Sequence, residues 1–324
     1  MPRPHLLCGR FGLGLAVADG RLRLRPRTRV AYPENMTIRS ESCRRRRLPV
    51  ALVLAASMFG GVATARADQP GAEAQWASFA LPVAGAPQVI GTYSNGCVIG
   101  AVALPLDGAG YSVIRPQRNR YWGHPTLVEF IQSLGFEALK RQLGVLMIAD
   151  MGQPRGGPIS GHASHELGLD VDIWLRLLPG NLMDVAERNS PVSQSAVIPG
   201  TSSIDRSFWS PAHVELYHAA ATLPNVDRIF AHPVIKRELC ETVTGDRSWL
   251  GKIRPWYGHD EHMHVRLRCP DDSPQCRPQS PVPPGDGCGD ELAWWFTDGP
   301  YQPSSTPPAP PPPLPDGCLA LLTR

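Results

Sequence analysis

The chain has 324 residues, enough for one large or two ordinary domains. With 42% hydrophobic and 19% charged residues it can bury a core, which excludes intrinsic disorder as its default state. Its formal charge of +3 averages two unlike parts: residues 1–67 hold 13 of the 32 Lys and Arg but 3 of the 29 Asp and Glu, so the remainder has 19 basic and 26 acidic side chains, a net of −7. No nucleic-acid partner is expected of it.

Residues 36–67 have the layout of a secretory signal. Arg44 to Arg47 form a basic start, Leu48 to Ala63 an apolar run, and Ala65-Arg66-Ala67 a small-x-small cleavage site. Met36 is then the expected start, cleavage falls after Ala67, and residues 68–324 form the mature domain, expected in the periplasm. A membrane anchor is the alternative, but a run interrupted by Gly60 and Gly61 is short for a span of about 20 residues. The four arginines also permit twin-arginine export. Cys43 precedes the apolar run, so no lipoprotein cysteine follows it. Six cysteines remain after cleavage, Cys97, Cys240, Cys269, Cys276, Cys288 and Cys318. In an oxidising compartment an even number reads as disulfides, and six allow 15 pairings.

Within the mature chain, Leu127, Phe130, Ile131 and Leu134 recur at helical spacing after Pro125, and Val145 to Ile148 reads as a buried strand. Leu169, Val171 and Ile173 alternate with Asp170 and Asp172 as in a half-buried strand. Ser210 and Pro211 suit an N-cap and first helical residue of a helix to about Thr222. A strand over Val226–Phe230 and a short helix over Pro233–Cys240 follow. His262, His264 and Arg266 share one face of a further strand, with Met263, Val265 and Leu267 on the other. The expected class is α+β: a single disulfide-stapled domain whose central antiparallel sheet carries the functional site. Residues 303–316 form a proline-rich strap, stiff and extended, whose far end Cys318 would staple to the body.

Five of the nine histidines after residue 67 fall in two stretches, Gly161 to Asp172 and His259 to Val265. Imidazoles beside carboxylates are what a zinc site requires. His165 has the wrong strand parity to share a metal with Asp172, so the chain must turn or bulge near Gly168. His165-Glu166 begins like H-E-x-x-H, but Leu169 occupies the fifth position, and Glu166 is expected on the surface as a bystander.

The pattern H-x6-D followed by a distant H-x-H resembles the lysostaphin and D-Ala-D-Ala metallopeptidase group. The runs Gly161 to Ile173, His259 to Pro270 and Pro283 to Cys288 are similar to the penicillin-insensitive murein endopeptidases, over most of residues 85–324. The resemblance implies Zn²⁺ held by His165, Asp172 and His264, one coordination place open to water, and His262 as the acid/base residue. It also implies the disulfides Cys97–Cys318, Cys240–Cys288 and Cys269–Cys276. His162, His259 and Asp170 are candidates for supporting or accessory metal roles; Pro191 to Arg206 has no histidine to complete a second site. His213 and His218 are expected as ordinary surface residues of a helix, His232 at a strand-to-helix turn, and His124 without a paired ligand. Trp294, Trp295 and Phe296 are expected as a packed aromatic cluster, with a sugar or peptide groove as the alternative.

The activity implied is hydrolysis of D-alanyl–meso-diaminopimelyl cross-links in peptidoglycan, the expected partner. A D-Ala-D-Ala carboxypeptidase of the same group and a non-catalytic zinc-containing peptidoglycan-binding module are the alternatives. A non-haem iron oxygenase shares the ligand types but spaces them as H-x-D.

Overall fold

The computed structural model describes residues 71–180, 183–302 and 312–323. The signal segment and most of the strap, residues 303–311, lie outside the described residues. Strands are β1 Gln88–Thr92, β2 Asn95–Ile99, β3 Val102–Ala103, β4 Asp107–Gly108, β5 Tyr111–Val113, β6 Trp122–Gly123, β7 Val145–Ile148, β8 Asp170–Leu178, β9 Val226–Ala231, β10 Ile253–Pro255 and β11 His262–Leu267. Helices are α1 Ala72–Ala77, α2 Pro125–Lys140, α3 Val185–Asn189, α4 Pro211–Thr222, α5 Pro233–Thr242, α6 Asp290–Ala293 and α7 Asp316–Leu319.

Seven strands form the main sheet in the order β10-β9-β11-β8-β7-β5-β4. The expected antiparallel pairing holds where β9, β11, β8 and β7 lie side by side, but the sheet is mixed. β10 runs parallel to β9, and β5 parallel to β7. The reason is connectivity: α2 carries the chain from β5 to β7 and α5 carries it from β9 to β10, and a crossover helix returns a strand in the same direction.

Helix α2 begins where Pro125 supplies a fixed φ, and His124 Nδ1 accepts from the Thr126 N–H at 3.3 Å. Its buried stripe, Leu127, Phe130, Ile131, Leu134 and Ala138, joins Val171, Ile173, Leu175, Met263, Val265 and Leu267 in the principal core. One face of β8 and β11 is thereby committed to packing. Because strand side chains alternate, Asp170, Asp172, His262, His264 and Arg266 are displayed together on the other face.

The disulfides are Cys97–Cys318, Cys240–Cys288 and Cys269–Cys276, the pairs that the resemblance implied. The first joins β2 to α7. Around it Trp76, Ile90, Leu314 and Leu321 form a small core apart from the principal one, and Asn95 Nδ2 donates to the Pro313 carbonyl at 2.9 Å.

Candidate metal centre

Adjacent strands set the first part of the site. In the antiparallel register of β8 and β11, His264 lies opposite Asp172 and Arg266 opposite Asp170. The β8 carboxylates therefore meet the β11 imidazole and guanidinium across one strand spacing. The parity conflict at His165 is resolved by a turn before β8: His165 and Gly168 have φ of 75° and 63°, and the Gly168 N–H donates to the His165 carbonyl at 3.3 Å. A left-handed histidine is uncommon. It is held by two bonds, the His165 N–H to Asp170 Oδ2 at 3.0 Å and Nδ1–H to the Met151 carbonyl at 2.6 Å.

That second bond fixes the tautomer, leaving the lone pair on His165 Nε2, which is buried without a hydrogen-bond partner 3.4 Å from Asp172 Oδ1. Asp172 Oδ1 is likewise buried and unpartnered. His264 turns Nδ1 to the same oxygen at 3.2 Å and Nε2 to Asp170 Oδ1 at 3.4 Å. His262 Nε2 stands 3.7 Å from Asp172 Oδ1, with its side chain 22% exposed. His162 Nδ1 is 3.5 Å from the other oxygen, Oδ2.

Charge separates the three buried carboxylates of this arrangement. Asp170 receives Arg266 Nε at 2.8 Å and Nη2 at 3.0 Å, and Asp150 receives Arg118 and Arg120 at 2.9 and 3.1 Å. Asp172, 4% exposed, pairs among the described residues with imidazoles alone. Burial acts to raise its pKa, but His165 and His262 hold it well below the usual carboxylate range, so it stays ionised. A buried anion without a full cation, facing the unpartnered Nε2 of His165 and Nδ1 of His264, fits a divalent metal. Ligand-capable atoms of His162, His165 and Asp172 all lie within 4.8 Å of one another.

The outer histidines are poised differently. Burial, then the neighbouring His264 and His262, push His259 down to about 4, and its Nδ1 faces the Tyr257 carbonyl at 3.1 Å. Burial also lowers His262, so both are neutral at pH 7. In His264, Asp170 leads the carboxylates that overcome the cost of burial and raise the pKa. The site opens into a cleft of about 490 Å³, whose walls include Tyr93, Phe230, Trp256 and Gln279.

The residue patterns of the penicillin-insensitive murein endopeptidase family match residues 89–323. The chain belongs to this family. A penicillin-insensitive murein endopeptidase of Yersinia enterocolitica is 50% identical over 249 residues, covering 76% of this chain and 90% of the relative. One from Klebsiella pneumoniae strain 342 is 48% identical over 250 residues, with the same coverage. A third, from Haemophilus influenzae, is 47% identical over 235 residues, 72% of this chain and 82% of the relative.

Several expectations need correction. Glu166 is not a surface bystander: it is 8% exposed and its Oε2 accepts from the Gly96 N–H at 2.9 Å, bracing the β1–β2 hairpin on the turn that holds His165. His213 is buried, with Nδ1 accepting from the Ser210 N–H at 3.0 Å and Nε2 donating to the Leu175 carbonyl at 3.0 Å. It links α4 to β8 at Leu175 rather than facing water. His124 has a carboxylate nearby after all, Asp272 Oδ1 at 3.5 Å from Nε2. His232 stands at the strand-to-helix turn as expected, and there it caps α5, with Nδ1 accepting from the Val234 N–H at 3.2 Å.

Asp150 escaped the sequence reading altogether. Buried just beyond β7, it accepts from His162 Nε2 at 2.8 Å and directs Nδ1 of that ring to Asp172. The one signal was a carboxylate two residues past a fully apolar strand.

Proposed function

We propose that this chain is an exported zinc endopeptidase that hydrolyses D-alanyl–meso-diaminopimelyl cross-links in peptidoglycan, with residues 68–324 as the mature periplasmic domain. Family membership and the names of the relatives support the substrate class. The observation that carries the metal reading is the ionised, buried Asp172, faced by the unpartnered Nε2 of His165 and by Nδ1 of His264. No helix among the described residues is long and apolar enough to cross a membrane, and three disulfides suit an oxidising compartment.

His165, Asp172 and His264 are assigned as ligands. His264 is preferred to His162 as the third because it is the more buried and approaches the same carboxylate oxygen as His165; His162 stands within reach as a further donor. Zinc in such a site polarises the scissile carbonyl and lowers the pKa of water to about 7.

The chain's own residues do the rest. His262, neutral and partly exposed in the cleft, accepts at Nε2 the proton of the water that attacks the scissile carbonyl. It delivers that proton to the departing amine nitrogen as the amide C–N bond breaks. His259, whose basicity is too low to hold a proton at neutral pH, serves as a hydrogen-bond partner beside it.

The lining of the cleft favours the endopeptidase over the carboxypeptidase. Among the described residues its one Lys or Arg is Arg266, and that guanidinium is committed to Asp170 and to Gln279 Oε1 at 2.8 Å. A free substrate carboxylate therefore finds no spare cation.

The test is incubation of zinc-loaded protein with purified cross-linked muropeptide dimers, with and without chelator, reading products by mass spectrometry. Chelator-sensitive conversion of dimers to monomers is expected. Release of free D-alanine alone would instead establish the carboxypeptidase, and no product the binding module. In the same assay His262→Ala loses turnover while its zinc content stays at the wild-type level; loss of the metal would make His262 a ligand.

A further inference from the structure

Beside the cleft the surface carries a run of aromatic rings that the proposed reaction does not use. Trp256 lines the cleft with His259 and His262 and is 56% exposed. Its ring lies 5.9 Å from that of Trp295, which is 5.3 Å from Trp294 and 5.4 Å from Tyr257; Tyr257 in turn lies 5.5 Å from Tyr301. Trp294 and Tyr301, at the outer end, are 48% and 70% exposed. Contiguous exposed aromatic surface forgoes the stabilisation of burial and marks a binding site when it adjoins a cleft.

These rings are braced rather than loose. The Tyr257 hydroxyl donates to the Trp295 carbonyl at 2.6 Å, and the Thr297 hydroxyl to that of Trp294 at 2.8 Å. The Arg237 guanidinium lies 4.2 Å from the centre of the Phe296 ring. Cys240–Cys288 ties the segment that leads into α6 to α5. A platform held in place before binding loses little entropy when it is occupied.

Charge selects the occupant. Asp290 and Asp298 are exposed on the same segment without an ion pair among the described residues, Glu291 is paired with Arg254, and Arg237, over the Phe296 ring, has Glu241 at 3.9 Å. The stem peptides of peptidoglycan carry several carboxylates and are repelled by such a border. The N-acetylated sugars of its glycan strand are neutral where the lactyl carboxyl is taken up in the amide to the stem peptide, and their C–H faces suit the electron-rich face of an aromatic ring.

We propose that the run from Trp256 to Tyr301 is a subsite for the glycan strand of peptidoglycan, holding neutral N-acetylated sugar rings beside the cleft that takes the peptide cross-link. This inference rests on the murein reading above.

The test compares wild-type protein with the double variant Trp294→Ser and Tyr301→Ser, both outside the cleft. kcat/KM is measured on cross-linked dimers that retain their disaccharides and on dimers stripped of them. Loss of two stacking contacts lowers the ratio of the two values about tenfold. An unchanged ratio overturns the subsite; an equal fall on both substrates assigns the rings to peptide contact or to folding. Sedimentation with insoluble chitin, a neutral polymer of N-acetylated sugar free of peptide and carboxylate, in the presence of chelator gives a readout independent of hydrolysis. Wild type is expected to co-sediment and the variant to stay in solution, and failure of wild type to bind overturns the proposal even if the dimers are cleaved. Failure to cleave either dimer, with glycan binding intact, would remove the endopeptidase reading and leave the subsite standing.

Discussion

Asp170 shows how much of a site can rest on a residue that touches no substrate. It is fully buried and reaches three groups at once: the Arg266 guanidinium, the His165 N–H and Nε2 of His264. Its charge, 3.4 Å from His264 Nε2 with no hydrogen bond formed there, favours the proton on that nitrogen, which leaves the Nδ1 lone pair toward Asp172. Asp170→Asn is expected to lower zinc affinity by about 10- to 100-fold, measured by competition with a chromophoric chelator, while Arg266→Lys, which loses the two-pronged contact, moves it the same way. Wild-type affinity in both would reduce the cluster to packing. Lys236 carries a different signature. Burial, then repulsion from Arg254, pushes its ammonium down to about 7, against about 10.4 in an unfolded chain. Between those values the unfolded chain holds a proton that the folded protein has released, so folding stability rises with pH across that window. Urea unfolding at pH 6 and pH 9 is expected to show that rise in wild type and a flatter dependence in Lys236→Met.

At the scale of elements, the turn from His165 to Gly168 decides whether the two histidine motifs become one site. Gly168 has φ of 63°, and a Cβ placed there would lie 2.9 Å from the Gly123 Cα. Both the left-handed backbone and the close approach disfavour a side chain. Gly168→Ala is expected to destabilise the fold by about 1–2 kcal/mol and to weaken zinc binding by moving His165 away from Asp172, read by thermal unfolding with and without added zinc. Equal Tm values for wild type and variant in both conditions would show that the turn tolerates the change. Strand β8 and strand β11 were legible beforehand because each alternates apolar and polar residues. The parallel flanks of the sheet were not, since the four apolar residues of β7 have no alternation from which to infer a neighbour or a direction.

Across the whole molecule, Cys97–Cys318 joins residues 221 apart, whereas Cys269–Cys276 joins residues 7 apart. Chain entropy makes the first worth about 5 kcal/mol and the second about 2–3 kcal/mol. Replacing Cys97 and Cys318 with Ala is therefore expected to lower stability more than the same change at Cys269 and Cys276, as judged by denaturant midpoints; the reverse order would place the weight on the short loop. The sequence by itself determined the strand faces, the helices that begin at Pro125, Pro211 and Pro233, the two histidine motifs and the family, because each is written in local periodicity or in short fixed spacings. Tertiary structure alone decided that Asp170 and Asp150 are neutralised by arginines while Asp172 is not. It also decided that His213 is buried and Glu166 inward, and that Trp256, Trp294 and Tyr301 stand exposed in one run. These properties depend on which side chains meet across elements distant in the chain, and on the water excluded where they meet, neither of which any local pattern records.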